Sequence, residues 1–432
     1  MKLHLRRLLA HTGMFWGLLC LLWLGLVLSA ALPNEALYAQ FRQSSLSYAK
    51  AAPFQFHNGE KWNAVADNYA DAILLGVAWN MGVGSPFTAV IDTDYYDGEE
   101  RGENAGLYLS VTEGIPPNTD YTRYWHGSAM LLRPLHLITD VTGIKALGLG
   151  AILCLLALTM ALLLRRHHGD IALLLALSMA AVQLWNVRLS LEYQPAFLLT
   201  FLLCPLYLWL EAKGDHWLTL LSTAGGTAIA FFDFLTTETV TLLIPLLLVL
   251  AVRASEGRLA PFRESLSLLI RCGFCWCCAY AGCFLVKWTA ASMVTGQNAF
   301  ALALASVAER TGSAAELGHD APASMFSAIT ANLTMVFGGT ARVQLNRVLP
   351  GLAIYGGLLS SLWYLFRRKA HQRDAALLLL LTGAVVFLRY LVLSNHSYLH
   401  EFFTYRALSA PILATLLALR LNTGLPENRR RR

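Results

Sequence analysis

Long uncharged apolar runs alternate with short polar breaks along most of the chain. Thr12–Leu32 is 21 residues without a charge, enough helix to cross ~30 Å of hydrocarbon at about 1.5 Å per residue. Nine further runs follow: Ala146–Leu164, Ile171–Val187, Tyr193–Leu210, Trp217–Phe232, Thr239–Val252, Cys272–Val286, Val348–Phe366, Ala375–Leu388 and Ala407–Leu419. They are continuous rather than alternating, which excludes a transmembrane β-barrel. The pattern predicts an all-α fold, a polytopic transmembrane helix bundle of ten spans. The shorter runs borrow flanking residues or sit tilted in thinned lipid. Two Ala/Ser/Thr-rich runs, Trp288–Ala308 and Ala321–Ala341, either add a pair of spans, making 12, or form interfacial helices. The first run follows Lys2, Arg6 and Arg7 as a signal peptide would. It is too long for a typical signal-peptide core and reads as an uncleaved anchor.

Composition agrees with this pattern. Of 432 residues, 56% are hydrophobic and 14% charged, against about 25% charged in soluble domains. Polar groups this sparse cannot cover a folded surface, so most of it faces lipid. Soluble, disordered, collagen-like and coiled-coil classes are excluded. The net charge of +6 does not imply a nucleic-acid partner, because the basic residues sit between apolar runs.

Their placement sets an orientation. One alternate set of short segments holds Lys2, Arg6, Arg7, Arg165, Arg166, Lys213, Arg253, Arg258, Arg263, Arg367, Arg368, Lys369, Arg373 and Arg429 to Arg432, seventeen in all. The opposite short turns hold only Arg188 and Arg406. By the Lys/Arg bias both termini are cytoplasmic. The chain then divides into the N-terminus and first span (1–32), a long non-cytoplasmic loop with juxtamembrane helices (33–145), spans two to seven (146–287), a second non-cytoplasmic segment (288–347), the final spans (348–422) and a basic cytoplasmic tail (423–432). No internal repeat is visible.

Long loops on a compact bundle are usually functional, and the first holds thirteen of the 27 carboxylates. Ile73, Leu74, Val77, Ala78 and Met81 recur at helical spacing and predict a helix over Asn68–Met81. Asp67 is either its N-cap or, with Asp71 four residues on and ~6 Å away on one face, part of a carboxylate pair able to act as general base or metal ligand. Asp92, Asp94, Asp97, Glu99 and Glu100 do not match EF-hand spacing. They read as a solvated acidic turn, or as a divalent-metal site through Asp92 and Asp94. At the loop's end, Arg123, His126 and Arg133 among Tyr121, Tyr124 and Trp125 suit either an interfacial anchor or a phosphate grip.

Asp233 and Glu238 are the only ionisable groups in the 36 residues Trp217–Val252. Carboxylates at membrane depth are costly and default to function; otherwise they cap helix ends facing water. Arg188 and Glu192 read as an interfacial pair. In the last turn, His396 and His400 have the spacing of a helical zinc pair but lack a third ligand nearby, while Tyr405 and Arg406 open the last span toward phosphate headgroups. Five of eight cysteines (Cys272, Cys275, Cys277, Cys278, Cys283) lie inside one predicted span and read as membrane-buried thiols, not a disulfide framework. Asn332-Leu333-Thr334 fits a glycosylation sequon.

There is no P-loop, Gly-rich nucleotide fingerprint, GxSxG or HExxH. An enzyme of this layout takes an activated donor from the membrane. A cytoplasmic N-terminus, a first span and a long outer first loop resemble the GT-C superfamily of integral-membrane glycosyltransferases over the whole chain. The resemblance implies inverting transfer from a polyprenyl-phosphate-linked sugar to a glycan, lipid or protein acceptor. A first-loop acid, here Asp67 or Asp71, acts as base. Arg123, His126, Arg133, Tyr405 or Arg406 stabilises the departing phosphate, and a divalent cation (Mg or Mn) is a candidate on Asp67, Asp233, Asp92 or Asp94. The chain departs from the family's motifs: Asn68, not Glu, follows Asp67, and WWDYG is absent. Two alternatives stand beside it: a lipid-linked glycan translocase or other envelope transporter, and a non-catalytic assembly subunit.

Overall fold

In the computed structural model, residues 2–57, 62–233, 235–311, 325–338, 345–367 and 372–422 are described. The basic tail 423–432 lies outside them, as do parts of 288–347. The described chain is all-helical apart from two short strand pairs. It opens with α1 (Lys2–Ala30) and α2 (Asn34–Ala49). After the antiparallel pair β1 (Phe54–Phe56) and β2 (Val65–Asp67) come α3 (Asn68–Asn80), α4 (Pro86–Ala89), β3 (Asp94–Tyr95), α5 (Gly102–Glu113), β4 (Thr119–Asp120) and α6 (Ala129–Leu135). The bundle continues through α7 (Val141–Arg165), α8 (Gly169–Ala181), α9 (Gln194–Leu210), α10 (Asp215–Phe232), α11 (Val240–Ser255) and α12 (Phe262–Thr295). It ends with α13 (Ala299–Arg310), α14 (Met325–Met335), α15 (Leu345–Arg367), α16 (Arg373–Val392), α17 (Ser394–Leu399), α18 (Glu401–Thr404) and α19 (Ser409–Asn422).

Each of the ten apolar runs falls mainly on one of these helices. Six segments are long and apolar enough to cross a membrane: Leu5–Ala30, Val141–Arg165, Gln194–Lys213, Phe262–Thr295, Arg373–Val392 and Glu401–Asn422. Gly169–Ala181, Val240–Ser255 and Gly351–Phe366 are apolar but shorter. Among the described residues neither Ala/Ser/Thr-rich run holds a helix long enough to cross a membrane. Trp288–Ala308 is split between the end of α12 and the 12-residue α13, broken at Gly296 (φ 70°). The described part of Ala321–Ala341 holds the 11-residue α14. Neither new helix approaches the ~20 residues a crossing needs.

The elements stop where local chemistry stops them. The Asp67 carboxylate accepts from the Ala70 N–H at 2.8 Å and caps α3; Asp140 does the same for α7 through Gly143 at 3.1 Å. Gly226 lets α10 and α12 touch: an added Cβ would meet the Trp276 carbonyl oxygen at 2.3 Å. Two cores result. One joins α7 to α11, α16 and α19; the other packs α2, α3 and α6 of the first long segment against α1 and the far half of α12.

The short basic segments meet at one end of the bundle. Arg166, ending α7, reaches Glu211 at 2.7 Å; Arg253, ending α11, reaches the same carboxylate at 3.1 Å; Arg258 joins it at 2.7 Å. Arg420, ending α19, pairs with Asp170 at the start of α8. The first long segment, α14 and α17 lie at the other end.

Candidate active site

Asp67 sits at the junction of β2 and α3, where strand pairing places it opposite Phe54. Both side chains line a cavity of about 400 Å³ at the acidic end. Four further stretches complete its walls. Tyr95, Tyr121, Arg123 and Tyr124 come from the first long segment. Glu192 comes from the turn before α9, and Glu309, Arg310, His396 and His400 from α13 and the α17 region.

Two carboxyl groups meet in this cavity. The Glu192 and Asp67 carboxyls are interacting neighbours in this cavity, and both residues are buried. Burial pushes Asp67 up to about 7; the nearby Asp71 charge adds to the rise, while the Ala70 N–H and the Glu192 carboxyl oppose it. Glu192 is held well above the ordinary carboxylate range, first by burial and then by the charges of Asp67 and Asp71. The pair therefore keeps a proton near neutrality and titrates as a single system.

The opposite wall is aromatic and cationic. Tyr95 and Tyr121 meet edge to face at 5.6 Å, and the Arg123 guanidinium lies 4.2 Å from the Tyr121 ring centre. Arg310 lies 5.6 Å from the Tyr124 ring centre. The His396 and His400 rings meet at a tilt, centres 4.7 Å apart, and burial drives both well below the ordinary histidine range, His400 to about 4, so they are neutral. Buried polar atoms are normally satisfied. Here Glu192 Oε1, Arg123 Nε, Arg310 Nε, His396 Nδ1 and His400 Nδ1 all lack a hydrogen-bond partner among the described residues, and all belong to cavity-lining side chains.

Sequence reasoning placed Asp67, Arg123, His396 and His400 among the candidates, and the fold brings these four together. It does not bring Asp71. That side chain is fully buried and saturated: Tyr48 Oη donates at 2.9 Å, Ser190 Oγ at 2.6 Å, the Leu191 N–H at 2.7 Å and Lys145 Nζ at 2.6 Å. Its role is to lock α2, α3, α7 and the 190–191 turn. Asp71→Asn leaves Lys145 without its anion and is expected to cost a few kcal/mol. Thermal melting in detergent checks this, and the folded fraction should keep its cavity unchanged.

Four proposed phosphate ligands are corrected likewise, because packing consumes them. Arg133 is buried and donates to the carbonyls of Ser29 (2.9 Å), Leu32 and Ala78 (2.7 Å) and to Asn34, clamping α1, α2 and α3. His126 Nε2 donates to the Tyr121 carbonyl at 2.9 Å, and burial takes the ring down to about 3. Arg406 is buried outside the cavity lining, donates to the Phe402 and Asn63 carbonyls at 3.2 and 3.3 Å while its Nε has no partner among the described residues, and lies 4.9 and 5.0 Å from the Tyr193 and Tyr405 ring centres; Tyr405 Oη donates to the Val182 carbonyl at 3.0 Å.

The membrane-depth acids also have partners. Asp233 accepts from the Thr236 N–H (2.8 Å) and hydroxyl (2.5 Å). Glu238 pairs with Arg389 at 3.0 Å, out of water. Asp97 caps its own turn through the Glu99 N–H at 2.8 Å, as a solvated acidic turn does. Asp92 and Asp94 line a separate hollow of about 340 Å³, where burial and then Asp92 and Asp120 raise Asp94 to about 6. Among the described residues no three His, Cys, Asp or Glu side chains converge to hold a cation. None of the candidates Asp67, Asp233, Asp92 and Asp94 is part of such a group among the described residues.

Glu192 and Arg310 are the residues sequence reasoning missed. Arg188 stays exposed while Glu192 turns inward to Asp67, so the two are not an interfacial pair. The available signal was Glu192 itself, a carboxylate in a short apolar turn. All eight cysteines are unbridged. The Asn332 amide is buried, donating to Ser397 O at 2.7 Å and accepting from Thr404 at 2.7 Å, so the sequon is closed to modification in the folded chain. No protein family matches the chain, and neither a curated protein nor a solved structure is similar to it.

Proposed function

We propose that the chain is a multi-pass integral-membrane glycosyltransferase with both termini cytoplasmic. It moves a sugar from a polyprenyl-phosphate-type lipid donor to an acceptor on the outer face of the membrane. The observation that carries this reading is the buried Asp67–Glu192 carboxyl pair lining a cavity that also offers tyrosine rings and two arginines.

The chemistry follows from the parts. An acceptor hydroxyl beside Asp67 gives its proton to that carboxylate. The freed oxygen attacks the anomeric carbon, the carbon–oxygen bond to phosphate breaks, and the carrier leaves as polyprenyl phosphate. Arg123 and Arg310 offset the charge that develops on the phosphate. Tyr69, Tyr95 and Tyr121 supply faces on which a sugar ring stacks. Glu192 keeps Asp67 oriented.

Purified protein in vesicles, supplied with a radiolabelled extract of polyprenyl-linked sugars, tests the reading. Glycosyl transfer predicts that label leaves the carrier fraction and that free polyprenyl phosphate accumulates. Label that crosses the bilayer still joined to its carrier identifies a translocase instead.

A further inference from the structure

The basic end of the bundle carries a second cavity, of about 430 Å³, framed by α1, α10 and α12. Its rim and floor present Arg7, His11, His216 and Arg271, with Asp215 the one carboxylate among them. That carboxylate is already engaged: Arg253 holds it at 2.9 Å, and Arg271 stands farther off at 3.7 Å. Arg7 has no carboxylate partner among the described residues, and Arg271 shares its one carboxylate with Arg253, so positive charge is in excess here. The floor is built, not incidental: His11 Nδ1 shares a hydrogen bond with the Thr223 hydroxyl at 2.8 Å, and the His11 and His216 rings meet edge to face at 5.8 Å.

The surroundings point to what fills it. On α1 and α12, Leu8 is 63% exposed, Ile270 63% and Phe274 68%. In a chain that spans a membrane, these side chains lie against acyl tails. A cationic hollow between spans, opening onto lipid-facing apolar surface at the basic end, has the layout of a headgroup site.

We propose that Arg7, His216 and Arg271, over a floor formed by His11, bind the phosphate headgroup of an anionic membrane phospholipid, separate from the outer cavity. Headgroup and tails are engaged together, so inorganic phosphate alone binds far less well. The site does not depend on the glycosyltransferase reading.

The test uses the full chain in nanodiscs of phosphatidylcholine with a minor share of phosphatidylglycerol, with retained lipid counted by native mass spectrometry. Wild type should retain phosphatidylglycerol selectively, and R7Q/R271Q should lower that retention roughly tenfold or more, at about 1 kcal/mol per basic residue near a membrane surface. R7K/R271K keeps the charge and should restore retention, separating lost binding from misfolding. Equal retention by R7Q/R271Q overturns the proposal. So does displacement of the lipid by millimolar inorganic phosphate, which would identify a free-anion site.

Discussion

Asp67→Asn is expected to lower sugar transfer roughly 10²- to 10⁴-fold, the usual worth of a positioned general base, while the protein stays folded. Asparagine caps a helix as well as aspartate, so α3 keeps its start. The loss is thus chemical, and its pH dependence follows from the site. Asp67 works only when ionised, so activity should rise as pH passes about 7. The Glu192 carboxyl pulls Asp67 down. Glu192→Ala should therefore move that rise to higher pH, and Glu192→Gln, which still offers a donor, should leave it nearly in place. A pH–rate profile of the three proteins checks this. The same burial has a cost in stability. A carboxyl whose proton affinity rises on folding loses stability as pH climbs from its unfolded value of about 3.9 through its folded one. Each tenfold rise in that affinity costs about 1.4 kcal/mol at high pH. Asp67→Asn should accordingly melt higher than wild type at pH 8, and that advantage should fade toward pH 4. Inactivity with unchanged or raised stability is what a site residue gives and a packing residue does not.

Glu238→Ala is expected to destabilise the protein by ~3–5 kcal/mol, because it strands the Arg389 guanidinium out of water. Arg389 also donates to the carbonyls of Leu235 and Thr236 (3.1 Å) and to Ser397 Oγ at 2.8 Å, so it ties α16 to the turn before α11 and to α17. Since α17 carries His396, the cavity wall should loosen with it. Replacing both partners with apolar residues, Glu238→Met with Arg389→Leu, should recover only part of the loss, because the Leu235 and Thr236 carbonyls and Ser397 also lose their donor. Denaturation of the two single variants and the double variant closes the cycle.

The helices were legible because continuous apolar runs admit little else in lipid, and α3 was legible because its spacing and cap are local. The span number was less so: Gly296 and the short α13 show how an Ala-rich stretch can look like a crossing and stop half-way. The site was legible only where one residue carries the chemistry. Asp67 stood out by position. Its partner did not, since Glu192 lies 125 residues away in sequence and meets it only through packing. Nor does sequence reveal which arginines are already spent. Arg133 and Arg406 look as suited to phosphate as Arg123 and Arg310, until the carbonyls and rings that surround them are seen. Asp71 and Asp67 share a helix face in sequence. Lys145, Tyr48 and Ser190 draw one into the core, and Glu192 holds the other in the cavity.

The most direct measurement is a surface-glycan profile of cells carrying wild type, Asp67→Asn or Asp71→Asn, with equal amounts of membrane-inserted protein confirmed. The account predicts that Asp67→Asn abolishes one surface glycan, while Asp71→Asn retains it in proportion to its folded fraction. A wild-type profile from Asp67→Asn would contradict it.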